Sequence, residues 1–420
     1  IARIENTTYS RRSSHNSNSD VNHRESPSIK THQLLSKLQM APLVLDIESP
    51  EMQRDSVHQA VQAIAEGQVV AFPTETVYGI GASALNEDAV NRLFEIKGRP
   101  ENQPMTLAIK GYEAALDLAP AMCPLSRRLA RRTWPGPLTL VLDASNSDSA
   151  VFQLPEFVQQ RVISNGRVGM RVPQNNTLLD VLELSTGPLV LTSANRSGEA
   201  DTVTAEEVIE QLGDDVDLVL NGGPCQLNTP STVASIDNDG INILRQGALS
   251  PEDLRQLGSV MITLVCTGNT CRSPMAEILL KKLLAEHLDC ELNELQSRGI
   301  MVKSAGVAAM NGSPASAESI QSMTEVGLDL KDHASQQLTP LLARDADWIL
   351  TMTNSHRDAI IQTWPQWINK TTVLAPSGHD ISDPIGGPLE VYKACAEQIK
   401  QFLEGRMPEL KTLISSIPGQ

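Results

Sequence analysis

Aromatic side chains are scarce: five Phe, four Tyr and four Trp in 420 residues. A groove lined with stacking rings for nucleobases is therefore disfavoured. Positive charge is short as well. Asp and Glu number 50 against 34 Lys and Arg, a net charge of −16. Broad electrostatic capture of nucleic acid or of an anionic membrane is disfavoured, while a local basic groove stays open. The six cysteines are dispersed (123, 225, 266, 271, 290 and 395) with no Cys-x-x-Cys pair. That pattern fits a reducing compartment and offers neither a disulfide framework nor a zinc site. There is no apolar run of about eighteen residues and no signal-peptide core. The expectation is a soluble, cytoplasmic protein with no membrane partner and no resident metal.

Hydrophobic residues make up 40% of the chain, enough for proper cores, and the length predicts two domains, with three allowed. Residues 1–42 read as a disordered tail rich in Ser, Asn, His and Arg. Residues 1–41 carry six Lys/Arg against three Asp/Glu. Met40-Ala-Pro-Leu-Val-Leu resembles a start running into a strand, so residues 1–39 are expected to lie outside the native protein.

From there to residue 248, apolar runs alternate with helical periodicity. Gln68–Phe72, Thr106–Ile109, Leu138–Leu142, Val168–Val172, Leu189–Ser193, Leu218–Leu220, Thr232–Ile236 and Ile241–Leu244 read as strands. Ser56–Gly67, Glu87–Lys97, Ser126–Thr133 and Val203–Leu212 read as helices. The pattern predicts a mixed-sheet α/β domain over 43–248. A polar connector, 249–260, follows. The remainder, 261–418, alternates strand and helix in the manner of a flavodoxin-like, doubly wound parallel sheet.

The sharpest chemistry lies at Val265-Cys-Thr-Gly-Asn-Thr-Cys-Arg-Ser-Pro-Met-Ala-Glu277. Met261–Val265 reads as a buried strand, and Met275, Ile278, Leu279, Leu283 and Leu284 recur at helical spacing. A strand, a Gly/Asn loop and a helix N-terminus in that order form an anion cradle. Cys266 and Arg272 then stand at its two ends. Inward amides and a guanidinium favour a thiolate. Cys266 is the candidate nucleophile, Arg272 the bidentate phosphate clamp and Ser273 a hydrogen-bond donor to sulfur. Asp383, followed by Pro384, is the candidate general acid. Thr267, Gly268, Asn269, Thr270 and Cys271 complete the loop. Gly268 and Asn269 tolerate unusual dihedrals, and Cys271 reads equally as an oxidation-protecting thiol or a packed one.

These motifs, with Ser304-Ala-Gly306, Thr351-Met-Thr353 and Asp383-Pro-Ile-Gly-Gly-Pro-Leu-Glu-Val-Tyr392, resemble the low-molecular-weight protein tyrosine phosphatases. The resemblance implies a cofactor-free, phosphocysteine-forming protein phosphatase acting on a phosphorylated protein. Ile385-Gly386-Gly387 stands where eukaryotic members carry tyrosines, and Thr270 replaces a large aliphatic residue. Both features resemble the bacterial subgroup that removes phosphate from arginine, with neutral drift at Thr270 the alternative.

In the first domain, Phe72-Pro-Thr-Glu-Thr-Val-Tyr-Gly79, Lys97-Gly-Arg-Pro100, Trp134-Pro-Gly-Pro137, Thr192-Ser-Ala-Asn-Arg-Ser-Gly198, Pro230-Ser-Thr-Val233 and Leu244-Arg-Gln-Gly247 supply hydroxyls and cations near strand ends. They imply an anion-binding cleft with no evident nucleophile. Taken together in this order they resemble the YrdC-type threonylcarbamoyl-AMP synthases. That resemblance implies synthesis of threonylcarbamoyl-AMP and pyrophosphate from threonine, bicarbonate and ATP, with magnesium, for the machinery that makes threonylcarbamoyladenosine in tRNA. It assigns Thr76, Arg171 and Ser231 to threonine, and Lys97, Arg99, Gln103, Ser193, Asn195 and Arg245 to the nucleotide. Ala108 departs from members that carry a histidine there. A bifunctional enzyme is thus expected. The alternative is an RNA- or nucleotide-binding module that delivers a protein-tyrosine or protein-arginine phosphatase.

Overall fold

The computed structural model describes residues 41–100, 103–237 and 240–417. The expected tail up to Met40, the Met40 start and Pro418 lie outside the described residues. The first sheet contains β1 (Leu43–Asp46), β2 (Val70–Phe72), β3 (Gly79–Ser83), β4 (Thr106–Ala108), β5 (Leu138–Asp143), β6 (Ile163–Ser164), β7 (Arg167–Arg171), β8 (Leu189–Ser193), β9 (Leu218–Asn221), β10 (Thr232–Asp237) and β11 (Gly240–Arg245). Their order is β1-β9-β2-β3-β8-β4-β7-β5-β10-β11, with β6 on the side of β7. Pairing is mixed: β4–β7 and β5–β10 are parallel, while β3–β8, β5–β7 and β10–β11 are antiparallel. The mixed α/β expectation for this part holds.

The first helix spans Pro50–Ala65 and so begins ahead of the expected Ser56. Ser49 Oγ accepts the Met52 amide at 3.3 Å and a proline occupies the first turn, a start signal that overrides the later apolar periodicity. The helix Glu87–Lys97 opens on an Asn86 cap and closes on Gly98 at φ +57°. That left-handed C-cap turns the chain so that Lys97 and Arg99 both reach the sheet.

The stretch expected as a connector is a helix, Pro251–Gly258, opened by a reciprocal Ser250/Asp253 capping box. Its Leu254 is fully buried in the core of the first domain. The second sheet follows at once: β12 (Val260–Cys266), β13 (Ile300–Gly306), β14 (Trp348–Thr351) and β15 (Thr371–Val373), in the order β13-β12-β14-β15. All its pairs are parallel, as expected. β12 is buried along its whole length, which explains its unbroken apolar sequence. The chain leaves β12 to one side for β13 and returns to the other for β14. The carboxyl end of β12 is therefore a topological switch point, where ligands settle in open parallel sheets. The last helix, Leu389–Ile414, outruns the expected end at Leu403 and passes through Pro408. Buried Leu410 and Ile414 hold the extra turns against the second core, offsetting the ladder bond that proline removes.

The described residues from Pro42 onward form one compact unit. No helix among the described residues is long and apolar enough to cross a membrane.

Two candidate active sites

The first site is a cleft of about 660 Å³ on one face of the first sheet. Its floor follows the pleat. Thr139 and Val141 of β5, Arg167, Gly169 and Arg171 of β7, Leu191 and Ser193 of β8, and Ser231, Val233 and Ser235 along β10 all line it. Side chains two apart on a strand share a face, so every second residue of β5, β7 and β10 meets the same space, while Thr192 joins Leu191 and Ser193 at the end of β8.

Arg171 anchors one end and is 7% exposed. Its Nη2 donates to Thr76 Oγ1 at 2.9 Å and its Nε to the Gly136 carbonyl at 3.2 Å. The same Nη2 stands 2.8 Å from Glu75 Oε1, an ion pair out of line for a hydrogen bond, while Glu75 Oε2 accepts the Gln174 amide at 3.0 Å. Thr76 is fully buried and also meets Thr74 Oγ1 at 2.9 Å. Of the expected threonine set, Arg171 and Ser231 line the cleft, and Thr76 stands behind Arg171. Ser231 Oγ meets Thr139 Oγ1 at 3.0 Å and receives Arg245 Nη2 at 3.2 Å.

On the other side, Arg99, Gln103, Ser193 and Arg245 line the cleft, whereas Lys97 and Asn195 lie beneath its wall. Lys97 Nζ donates to the Ser193 carbonyl and to Asn195 Oδ1, both at 2.8 Å, and to the Asn195 carbonyl. Asn195 Oδ1 in turn accepts Ser193 Oγ at 2.6 Å. Lys97 thus fixes the Ser-x-Asn loop from below. Burial pushes its ammonium down to about 8 and neighbouring Arg99 pushes the same way, while Asp201 pulls it back. Arg99 donates to Thr192 Oγ1 at 3.3 Å and to the Pro104 carbonyl at 3.1 Å, and its buried Nε has no partner. Burial lowers the Arg99 and Arg245 guanidiniums as well, with Asp201 opposing at Arg245. Sequence reasoning missed Glu75, Thr139 and Asp201. Glu75 sits inside the quoted Pro-Thr-Glu-Thr motif, so an acid beside the expected Thr76 was the available signal.

The second site is the loop after β12. Cys266 Sγ lies 3.0 Å from Ser273 Oγ and accepts the Asn269 amide at 3.2 Å. Asn269 adopts φ +56°, and its side-chain amide donates to Ser273 Oγ and Ser304 Oγ, both at 2.9 Å. The loop is thereby locked with an amide aimed at sulfur, the arrangement a phosphate cradle needs. The helix Arg272–His287 begins at its rim. Arg272 is 5% exposed, donates from Nη1 to the Ile381 carbonyl at 3.1 Å and forms an ion pair through Nη2 with Asp383. The expected clamp and the expected acid therefore meet across the loop although 111 positions apart. Cys271 Sγ sits 3.6 Å from Ser316 Oγ and 3.7 Å from the Tyr392 hydroxyl, and Thr270 Oγ1 sits 3.6 Å from Cys271 Sγ.

Two histidines absent from the sequence reading support this loop. His333 Nε2 meets the Asn269 carbonyl at 2.7 Å. His356 Nε2 meets Thr267 Oγ1 at 2.8 Å and its Nδ1 meets Thr353 Oγ1 at 2.9 Å. Burial, with Arg272 adding to it, pushes His356 down to about 4. Its proximity to the quoted Thr351-Met-Thr353 motif was the only sequence signal.

Comparison with known proteins finds a family for each part of the chain. The Sua5/YciO/YrdC family model, described as Telomere recombination, matches residues 62–247. The model for low molecular weight phosphotyrosine protein phosphatases matches residues 261–415. A threonylcarbamoyl-AMP synthase of Pyrococcus abyssi is 39% identical over 202 residues, 47% of this chain and 56% of that protein. The chain thus spans about half the length of that curated relative. A threonylcarbamoyl-AMP synthase of Vibrio parahaemolyticus is 32% identical over 195 residues, 46% of this chain and 100% of that protein. A protein-arginine-phosphatase of Geobacillus stearothermophilus is 37% identical over 158 residues, 36% of this chain and 96% of that protein. The chain therefore belongs to two enzyme families at once, Sua5/YciO/YrdC over its first domain and the low molecular weight phosphatases over its second.

Proposed function

We propose a bifunctional enzyme, an L-threonylcarbamoyladenylate synthase joined to a cysteine-dependent protein phosphatase. The observation that carries the synthase half is the clustering of cations. In a chain of net charge −16, Arg99, Arg167, Arg171 and Arg245 all line one cleft. Arg171 and Ser231 take the threonine carboxylate and hydroxyl end, with Thr76 holding Arg171. Arg99, Gln103, Ser193 and Arg245 take ATP, with Lys97 and Asn195 shaping the wall. Threonine's amine adds to carbon dioxide derived from bicarbonate. The carbamate oxygen then attacks the α-phosphorus and pyrophosphate leaves. The cleft contributes alignment and charge stabilisation rather than a nucleophile. Magnesium enters with ATP as part of the substrate. Among the described residues no group of three or more His, Cys, Asp or Glu stands together to hold a metal ion. The product supplies tRNA-modification machinery in the cytoplasm. Pyrophosphate release from ATP that requires both threonine and bicarbonate, and that falls in Lys97→Ala, tests this half. ATP or RNA binding without that release leaves the binding-module reading instead.

In the phosphatase half, Cys266 sulfur bonds to phosphorus as the bond to the leaving group breaks, and Asp383 gives its proton to the departing atom. Water then attacks the phosphocysteine, Asp383 takes the proton back, and inorganic phosphate leaves. Arg272 must exchange Asp383 for phosphate oxygens when substrate enters. Phosphoarginine is the favoured substrate class, because Thr270 leaves room and a hydroxyl where an aliphatic side chain would fill the loop. Phosphoarginine and phosphotyrosine peptides assayed on the parent and on Thr270→Ile decide this. A shift toward phosphotyrosine is expected, and equal turnover by both proteins removes the case.

A further inference from the structure

Helix Pro124–Thr133 ends in a cationic cluster that faces inward rather than to solvent. Arg132 is 8% exposed and Arg128 2%. Arg132 Nη1 caps the connector helix, donating to the Leu257 carbonyl at 2.7 Å and the Ser259 carbonyl at 2.5 Å. Arg128 Nε takes the Gly258 carbonyl at 2.8 Å. The same side chains then cross into the phosphatase domain. Arg132 Nη2 reaches Asp347 Oδ2 at 2.9 Å, Arg131 Nη2 reaches Asp347 Oδ1 at 2.7 Å, and Arg128 Nη1 reaches Ser416 Oγ at 2.9 Å. Asp347 is held in turn by its own sheet, accepting the Met261 amide at 2.9 Å.

From this clamp the chain passes into a turn that touches Arg171. Trp134 follows Thr133, and its indole donates to the Leu138 carbonyl at 2.8 Å. The Gly136 amide donates to the Val172 carbonyl at 2.9 Å, and the Gly136 carbonyl accepts Arg171 Nε at 3.2 Å. A Cβ on Gly136 would stand 2.2 Å from the Thr133 carbonyl, so the turn has no slack between helix and carbonyl. The placement of the oxygen that aims Arg171 is thus tied to the helix end that Asp347 holds.

We propose that Asp347, a residue of the phosphatase domain, is a positioning residue for the synthase. Through Arg131 and Arg132 it fixes the helix end and turn that orient Arg171 toward threonine. This rests on the reading of Arg171 as a threonine ligand. On the nucleotide side, Arg99 and the Lys97-braced loop share no element with the clamp, and only Arg245, on the strand packed against the connector helix, lies near it, so the effect falls chiefly on threonine.

The test is steady-state pyrophosphate release by the full chain, with threonine and ATP varied separately, in the parent, Asp347→Asn, Asp347→Glu and Arg131→Gln. In Asp347→Asn, KM for threonine rises about tenfold, the scale of one misaligned charge-assisted hydrogen bond, while KM for ATP stays within about twofold. Asp347→Glu recovers most of the loss. Arg131→Gln removes one arm of the clamp at a partly exposed residue; it shows the same selectivity at smaller size and decides the matter if Asp347→Asn does not fold. Unchanged threonine KM in the folded variants, or equal rises in both KM values, overturns the proposal. A parent that releases no threonine-dependent pyrophosphate overturns the synthase reading and this inference with it.

Discussion

At Cys266, the proposed phosphatase chemistry rests on one sulfur with one hydroxyl and one amide on it. Cys266→Ser is expected to lower phosphatase turnover by at least about a thousandfold, since a serine hydroxyl without a base is a far weaker nucleophile. Pyrophosphate release by the same variant should be untouched, and measuring both activities on one preparation checks the pair of claims. Asp383→Asn should cost about a hundredfold or more with a poor leaving group and much less with an activated aryl phosphate, because only the former needs the proton. Rates on two substrates of different leaving-group acidity give that contrast.

His356 carries a pH prediction. Its folded value, about 4, lies below the unfolded value of about 6.5. The unfolded chain therefore binds the extra proton first as acid is added. The stability that neutral His356 contributes is present above about pH 6.5 and is lost as pH falls toward about 4, with a slope of up to ~1.4 kcal/mol per pH unit. Urea titrations across that window should show the slope in the parent and a flatter dependence in His356→Gln.

Among elements, the helix Pro124–Thr133 has the clearest energetic role. Arg132→Ala removes caps from the connector helix and leaves buried Asp347 short of a partner; losses of about 3–5 kcal/mol follow when one side of a buried pair is deleted. Denaturant unfolding followed by circular dichroism measures it. This is also where the sequence was least informative. Arg128-Leu-Ala-Arg-Arg132 gives a helix by periodicity, yet nothing local says that its charges point into protein, since their acceptors lie more than a hundred positions away at Asp345, Asp347 and Gly258. β3 was missed for a different reason. Gly79-Ile-Gly-Ala-Ser83 has too little side chain to read as a strand and owes its form to antiparallel neighbours on both sides, β2 and β8. The candidate phosphate loop was legible because its residues are contiguous between a buried strand and a helix. His356, 89 positions from Thr267, and Glu75, about as remote from Arg171, required the fold to bring them in.

At the scale of the whole chain, two cores share one junction. The connector helix belongs to the first core through Leu254, and its last carbonyls are capped by arginines that also hold the second domain. The two proposed activities should therefore be lost together on heating the parent. The weakened junction of Arg132→Ala should separate them, with thermal inactivation followed by both assays on the same samples. Coincident loss in both proteins would mean that the cores do not depend on this clamp for their cooperation.

The alternation along the cleft floor sorts β5, β7 and β10 by parity. Odd positions, such as 139, 141, 169, 171, 233 and 235, present their faces to whatever the cleft admits. Even positions, Leu140, Leu142, Val168, Met170, Ala234 and Ile236, are packed out of contact with solvent. Libraries confined to the odd numbers, Arg171 with its buried Glu75 pair excepted, can thus retune what the cleft accepts at less cost to folding than libraries on the even numbers. A single-residue deletion within any of these strands would exchange the two sets and forfeit recognition and core together.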